Sequence, residues 1–186
     1  MKYYGTKELA ESFRTVRKNT IQAAEEIPED KYAFTAAEGT RTVEKLLTHI
    51  ALSHRFQHRF HALEKRTNFE GFDFPTLFAE FVAEEAKPRT KAEVVALLKE
   101  SGESWAKYVE GVSDDFLSEV VTMPPGSTPA TKSRFEMFLS VKEHEMHHRG
   151  QIMLIQRMIG IVPHLTRQFQ ERMAGQNQQQ AQQARG

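Results

Sequence analysis

Two histidines lie in the middle of an apolar helical stripe near the end of the chain, and they restrict the possible folds more than any other feature. The helical pattern runs over about Thr131–Ile159 and ends at Gly160 and Pro163. One face of it carries Met137, Val141, His144, His148, Ile152, Ile155 and Ile159. Because His144 and His148 are one helical turn apart, their imidazoles lie on the same face and can bind one divalent cation.

Three more helical patterns precede this one. They cover Thr6 to about Glu26, about Thr42–Arg66, and a third segment that Thr90 caps and that continues to about Val112. A long aromatic-rich connection over Gly71–Pro88 separates the second pattern from the third. No alternating apolar pattern is long enough to indicate a sheet. The sequence therefore predicts an all-α protein, a four-helix bundle with a long crossover between helices 2 and 3.

Length and composition fit a single domain that does not bind polyanions. The 186 residues suit one domain, which we place at residues 1–175, and the Gln-rich residues 176–186 are predicted to be a disordered tail. The 25 basic and 25 acidic residues balance, which argues against nucleic acid and anionic membranes as partners. An apolar signal core and membrane-length apolar runs are lacking, so we expect a soluble cytoplasmic protein.

The chain has no cysteine, which excludes a thiolate metal site and a cysteine nucleophile. Any thiol that acts in catalysis must therefore come from a bound small molecule.

The second helical pattern adds one histidine to the bundle interior. Its core stripe consists of Leu46, His49, Leu52, Phe56, Phe60 and Leu63. His54, His58 and His61 fall roughly opposite this stripe, so we predict that they are solvated. A lone core histidine usually bonds to a backbone carbonyl, but three inward imidazoles can all be satisfied by one shared cation. His49, His144 and His148 are thus predicted to form a metal site that keeps open positions, as catalytic sites do.

The residues around the histidine pair leave an alternative open. The string His144-Glu145-Met146-His147-His148 also fits the zinc-protease pattern, in which Glu145 would be the general base. Gln151 and Leu154 occupy the positions where the extended protease pattern has Gly and His, and no sheet is predicted, so protease activity is disfavoured. In a bundle, Glu145 is a weak candidate for a base or for a residue that orients a ligand, and an ordinary exposed glutamate is the other reading.

Two neighbours of the pair have further candidate roles, and a third has none. Gln151 lies on the His144 side of the stripe and is a weak candidate for orienting a ligand. Arg149 is expected to pair with an anionic group or an acidic neighbour. His147 points sideways from His148 and is expected to be structural or partly exposed.

Several segments carry a family resemblance. The segment His144–Ile152, followed by Arg157–Pro163, resembles the last bundle helix of the DinB/YfiT-like metalloenzyme superfamily. Thr42–Ala51 resembles its second helix, and Ile27–Tyr32 and Thr90–Glu93 fall where that family has similar segments. The resemblance covers about residues 5–170.

The resemblance implies His49, His144 and His148 as the metal ligands, the same three residues that the helical faces indicate. It also implies an up-down-down-up bundle and frequent dimers. Characterised members include bacillithiol- and mycothiol-dependent transferases and a maleylpyruvate isomerase. For self-association, the sequence offers a second stripe on the fourth helix, at Phe135, Leu139, Met146 and Met153.

The leading hypothesis is a metal-dependent enzyme that acts on a small molecule. We expect one divalent transition metal, zinc or nickel, and a low-molecular-weight thiol as the second cofactor of an S-transferase. The alternatives are a metal-dependent hydrolase, a stress-associated bundle that binds metal without turnover, and an interaction module that uses the back of the fourth helix.

Overall fold

Helices make up most of the part of the chain that the computed structural model describes, residues 4–183. They are α1 (Thr6–Glu26), α2 (Val43–Leu52), α3 (Arg55–His58), α4 (Phe74–Ala86), α5 (Lys91–Gly111), α6 (Asp114–Ser118), α7 (Arg134–Met158) and α8 (His164–Gln183). A 3-10 turn covers Glu29–Lys31, and a π-helical turn covers Arg59–Leu63. Strands β1 (Val120–Thr122) and β2 (Thr131–Ser133) pair antiparallel.

Four helical segments form the predicted bundle. Both α1 and α2 pack against α5 and α7. Lys91, at the start of α5, donates to the carbonyl of Ile27 just beyond the end of α1, so these two helices are antiparallel. The helix that begins with α2 runs antiparallel to α7, since His49 meets His144 and the later Gln57 meets the earlier Ser140. Ser12 and Ala23 of α1 meet Lys142 and Gln156 of α7 in the same order along the chain, so these two helices are parallel and the up-down-down-up path is confirmed.

Side-chain caps fix where the bundle helices begin. Thr42, Thr90 and Ser133 each accept a hydrogen bond from the backbone amide three residues ahead. Glu93 and Glu136 bond back to the amides of their cap residues, which satisfies two donors that a helix start leaves free. The cap of α1 is Gly5, one residue before Thr6, where the predicted pattern begins, and α7 begins at Arg134, three residues later than predicted.

The second bundle helix differs from the single helix predicted over Thr42–Arg66. It consists of α2, a turn at Ser53 and His54, α3, and the π turn Arg59–Leu63. A π turn holds more residues than an α turn, so the faces after it no longer follow the 100° spacing that the prediction assumed. The later part of this segment therefore turns different side chains toward the neighbouring helices.

The crossover between α2 and α5 contains a helix of its own, α4. Aromatic rings from both sides of the crossover pack together near its start, with Phe56 stacked 6.2 Å from Phe74 and Phe60 buried beneath them. Val121 of β1 is also buried in this cluster. The sequence did not predict the hairpin, because strands of three residues are too short to show an alternating pattern.

Residues 164–183 form one helix, which corrects the prediction of disorder from residue 176 onward. His164 anchors the start of α8 because it is buried and contacts Asn19, and Arg167 pairs with Glu26. Glutamine and alanine propagate a helix well once it is nucleated. Residues 184–186 of the predicted tail lie outside the described residues, and the predicted domain end at residue 175 falls inside α8.

Within residues 4–183, no helix combines the length and the apolar character that crossing a bilayer requires.

Candidate metal centre

Three histidines from two helices converge between α2 and α7. His49 lies on α2, and His144 and His148 lie one turn apart on α7. The Nε2 atom of His144 is 3.2 Å from Nε2 of His49 and 3.1 Å from Nε2 of His148. Each residue offers a ring nitrogen within 4.8 Å of those of the other two. In a tetrahedral zinc site with bonds of about 2.0–2.1 Å, ligand nitrogens are roughly 3.4 Å apart, so the spacing matches one shared cation.

Hydrogen bonds on the opposite ring nitrogens fix how two of these imidazoles are protonated. His49 Nδ1 donates to Glu85 Oε1 at 2.5 Å, and His148 Nδ1 donates to Gln151 Oε1 at 2.8 Å. In a neutral imidazole, the other nitrogen is then an acceptor, so both Nε2 lone pairs point at His144. If His144 Nε2 carries a proton, it can donate that proton to only one of these two acceptors. His144 Nδ1 is buried without a hydrogen-bond partner among the described residues. A cation in the centre satisfies all three Nε2 atoms together.

The environment favours the neutral form of the two histidines on α7. Burial, with smaller contributions from the neighbouring histidines, lowers the pKa of His144 to about 4. Burial also lowers the pKa of His148, although its hydrogen bond to Gln151 opposes this effect. Metal ligation requires the neutral form, so His144 and His148 are able to bind a cation at physiological pH.

Glu85 supports the centre from the crossover helix α4. It accepts from His49, and its second oxygen lies 2.9 Å from Nε of Arg41. Burial tends to raise the pKa of Glu85, but the hydrogen bonds from Arg41 and His49 outweigh it and leave the pKa lowered. Glu85 could not be predicted from helical periodicity, because α4 is a separate element whose approach to α2 leaves no periodic signal in the sequence.

Two cavities flank the three histidines. The first, of about 500 Å³, is lined by His49 and His144 together with mostly apolar and aromatic side chains from α2, α4 and α7. The second, of about 610 Å³, is lined by His148, Gln151 and Thr40 among others. Arg41 borders both cavities. The centre is therefore open on two sides, unlike a closed structural site.

Glu145 does not face the histidines. Its side chain is fully buried on the side of α7 that faces α1, where its carboxylate pairs with Arg17 at 2.9 Å. Arg17 also donates to the carbonyl of Leu98. The structure thus corrects both readings from the sequence: Glu145 is neither an exposed glutamate nor a base beside the metal ligands.

The other neighbours on α7 differ in their positions. Gln151 Oε1 accepts a hydrogen bond from Nδ1 of His148, and its role in orienting a ligand stays a prediction. Arg149 is partly buried with its guanidinium near the carbonyl of Val16, and burial lowers its pKa. His147 is exposed beside the ring of His148, as expected.

The prediction that His54, His58 and His61 are solvated is wrong for two of them. His54 is buried against Trp105 of α5, and His61 is buried against Phe138 of α7. The reason is that the second bundle helix lies between α5 and α7, so more than one of its sides is covered, and the irregular turns shift its faces. His58 is partly exposed beside Tyr108. None of the three belongs to the metal centre formed by the described residues.

Comparison with known proteins places these features in a family. Residues 12–152 match the family model of the DinB superfamily. Among solved structures, the chain is similar to YfiT from Bacillus subtilis, described as a probable metal-dependent hydrolase with an unusual four-helix bundle topology (19% identity, 84% of this chain and 88% of YfiT covered, TM-score 0.64). It is also similar to the DinB-like protein YjoA from Bacillus subtilis (20% identity, 82% and 92% covered, TM-score 0.60). A protein from Streptococcus pneumoniae has the same fold (18% identity, 84% and 93% covered, TM-score 0.64). No curated protein matches the chain.

Proposed function

The chain belongs to the DinB superfamily, and from that premise we propose that it is a metal-dependent enzyme acting on a small molecule. His49, His144 and His148 hold one divalent transition metal, zinc or nickel. The observation that carries the proposal is the convergence of three Nε2 atoms while Nδ1 of His49 and of His148 is engaged by Glu85 and Gln151. Protein groups that fix the orientation of ligating imidazoles in this way are typical of metal sites.

The two cavities favour a reaction with two substrates, a transfer to or from a small thiol. A bound cation supplies a positive charge that lowers the pKa of a coordinating thiol and so makes it a nucleophile at neutral pH. The chain's own residues hold and orient the partners. The aromatic wall of the first cavity excludes water around an electrophile, and the second cavity offers Thr40, Gln151 and Arg41 to a polar thiol.

Hydrolysis is the second candidate, because the similar structure YfiT is described as a probable metal-dependent hydrolase. In that case water replaces the thiol as the nucleophile, and it enters the site through the second cavity. A bundle that binds metal without turnover fits less well, because such a site needs no cavity beside the ligands. We also propose a homodimer and a cytoplasmic location, the dimer through the stripe of α7 that includes Met146.

The experiment begins with elemental analysis of protein prepared without a His-tag. We expect close to one transition metal per chain, and we expect His148→Ala to abolish it. His58→Ala is the matched control, since His58 lies on the same bundle helix as His49 but faces Tyr108. Full metal occupancy in His148→Ala would show that the assignment is wrong.

Activity separates the two candidate reactions. The metal-loaded protein is incubated with an aromatic epoxide, with and without bacillithiol or mycothiol. Consumption of the epoxide that requires the thiol supports the transferase, and consumption without thiol supports the hydrolase. Turnover that persists in His148→Ala would contradict both.

A further inference from the structure

A chain of polar side chains crosses the protein interior and ends at the first cavity. Arg134 Nε bonds to Glu119 Oε2 at 2.9 Å near the surface, and Arg134 Nη1 lies 2.5 Å from His61 Nδ1. His61 Nε2 is 3.0 Å from Gln57 Oε1, and Gln57 Nε2 is 3.4 Å from Ser140 Oγ. Arg134 and His61 are each 1% exposed and Gln57 is 6% exposed. This chain lies apart from the three histidines of the metal centre.

The direction of each hydrogen bond in this chain is fixed by Arg134. A guanidinium can only donate, so His61 Nδ1 must accept, and the proton of the neutral ring is on Nε2. His61 Nε2 therefore donates to Gln57, which places the amide oxygen toward His61 and the amide nitrogen toward Ser140. An isolated glutamine amide can adopt either orientation, whereas the network leaves one. Burial and the charge of Arg134 lower the pKa of His61 to about 3, so the neutral ring persists at ordinary pH.

Gln57 consequently presents N–H donors at the wall of the cavity. The hydroxyl of Ser140 donates its only proton to the carbonyl of Met137 at 2.6 Å. Toward Gln57, Ser140 Oγ can therefore only accept, and it accepts one N–H of the Gln57 amide. Among residues 4–183, Ser140 Oγ is the one acceptor within reach of the Gln57 amide nitrogen, and the contact is long at 3.4 Å. The second N–H is available to a ligand in the cavity that Gln57 and Ser140 both line.

The position of this donor relative to the metal centre follows from α7. Ser140 precedes His144 by four residues, which corresponds to about 6 Å along the helix axis. A ligand that has one atom at the three histidines can therefore place an oxygen atom, a few bonds further along the same molecule, beside the Gln57 amide. The cavity between them is walled by aromatic and aliphatic residues, including Leu52, Phe56 and Phe74.

The charges at this cavity are already paired. Arg41 and Glu85, the charged residues among those that line it, bind each other at 2.9 Å. Away from the three histidines, a carboxylate buried against the phenylalanines would find no unpaired cationic side chain in the described wall and would lose its hydration. A neutral carbonyl oxygen loses far less hydration free energy on burial, and it gains a hydrogen bond from the Gln57 amide.

We propose that Gln57 determines substrate specificity, and that the cavity takes an apolar, commonly aromatic molecule with a neutral carbonyl oxygen that accepts from the Gln57 amide. The proposal rests on the proposed function in one respect, that the cavity beside the three histidines is the substrate site. His61 and Arg134 are positioning residues, because they act by holding the Gln57 amide in one orientation.

The test uses three probes of nearly the same shape on the full chain: acetophenone, α-methylstyrene, in which CH₂ replaces the carbonyl oxygen, and benzoate. Dissociation constants are measured by NMR titration, and the side-chain amide signals of Gln57 are assigned by their loss in Gln57→Leu. Acetophenone should shift these signals, whereas benzoate should bind least to the chelator-treated protein, in which no metal ion can coordinate its carboxylate. Acetophenone titrations that leave the Gln57 amide signals unmoved would overturn the proposal.

Variants then separate a specific hydrogen bond from a structural effect. The preference for acetophenone over α-methylstyrene should fall by roughly fivefold in Gln57→Leu, the effect of one lost hydrogen bond. Gln57→Glu, which keeps the acceptor for His61 and removes the N–H group, should cause the same loss, and it serves if Gln57→Leu does not fold. Ser53→Ala is the control in the same cavity and should leave the preference unchanged, since the Ser53 hydroxyl donates to the carbonyl of Ile50. An unchanged preference in Gln57→Glu would show that the donor does not select the ligand.

The outcome is independent of metal chemistry, because the titrations are made on both chelator-treated and zinc-loaded protein. If the Gln57 variants lose the carbonyl preference but the wild type takes up no metal, the proposed function is wrong and this inference stands. If the wild type takes up metal normally but shows no carbonyl preference, the proposed function stands and this inference is wrong.

Discussion

Glu85 Oε1 lies 2.5 Å from Nδ1 of His49, although the two residues are 36 positions apart and belong to different helices. This contact ties α4 of the crossover to the metal centre of the bundle. It directs the Nε2 lone pair of His49 toward His144 and His148. The crossover is therefore part of the site, and α4 also lines the first cavity with Phe74, Leu77 and Phe78.

The first prediction concerns this contact. Glu85→Ala should weaken metal affinity by about 10- to 100-fold, the usual effect of removing a carboxylate that orients a ligating histidine. Zinc affinity measured by competition with a chelating dye checks it. Glu80→Ala is the matched control on the same helix, because Glu80 is exposed and contacts Arg59. Equal affinities for Glu85→Ala and wild type would mean that the carboxylate does not support the ligand.

The second prediction concerns the buried pair of Arg17 and Glu145. Arg17→Met leaves the fully buried Glu145 carboxylate without its partner, so the free energy of unfolding should fall by about 3–5 kcal/mol. Urea denaturation measures it. Arg14→Met, which removes surface ion pairs with Glu103 and Glu110 from the same helix, should cost less than about 1 kcal/mol.

The same pair separates a structural role from a catalytic one. Glu145→Gln should lower stability but should keep one metal per chain, because Glu145 faces Arg17 and not the three histidines. Loss of metal from a Glu145→Gln protein that is shown to be folded by circular dichroism would contradict the structural assignment.

The third prediction is a loss of stability in mild acid. Burial, with smaller contributions from the charges of Arg17 and Arg134, lowers the pKa of His54 and of His61 to about 3. The unfolded chain binds protons below about pH 6.5, and the folded chain binds them at these two sites only near pH 3. Unfolding is therefore favoured as the pH falls from about 6.5 toward 3, and the free energy of unfolding decreases by up to about 1.4 kcal/mol per pH unit for each histidine.

The variant His61→Gln isolates one of these contributions. Between about pH 6 and pH 5, where carboxylates with ordinary pKa values still remain ionised, the slope of unfolding free energy against pH should decrease by up to about 1.4 kcal/mol per unit. Urea denaturation of chelator-treated protein at several pH values provides the slope. A slope identical to that of the wild type would show that His61 is not buried in its neutral form.

The fourth prediction is self-association. Met146 is 45% exposed at the middle of α7, between the partly buried Leu139 and Met153. An exposed apolar position repeated around a two-fold axis can bury itself in a dimer. Met146→Glu should therefore give a folded, metal-binding monomer, as measured by light scattering at micromolar concentration. Val120→Glu, an exposed apolar position on β1, should remain dimeric.

Two results would count against this interface. A monomeric wild type would remove the dimer altogether. An unfolded Met146→Glu protein would show that the stripe belongs to the core of its own bundle, and that any interface lies elsewhere.

The bundle and its three inward histidines are determined by the sequence, because they depend on interactions that repeat within one helix. The apolar period of α7 places His144 and His148 among core residues, and the period of α2 does the same for His49. Each of these residues is specified by neighbours three or four positions away. The caps at Thr90 and Ser133 are likewise local, since each depends on a residue three positions ahead.

Tertiary structure alone decided what surrounds those histidines. Glu85 approaches His49, Arg17 approaches Glu145, and Arg134 approaches His61 only after separate helices have packed, over separations of 36, 128 and 73 residues. A single sequence carries no periodic signal for such pairs. His54 and His61, predicted to be solvated, are buried because α5 and α7 cover more than one side of an irregular helix. Helical periodicity records which residues share a face, but the burial of that face depends on every element that packs against it.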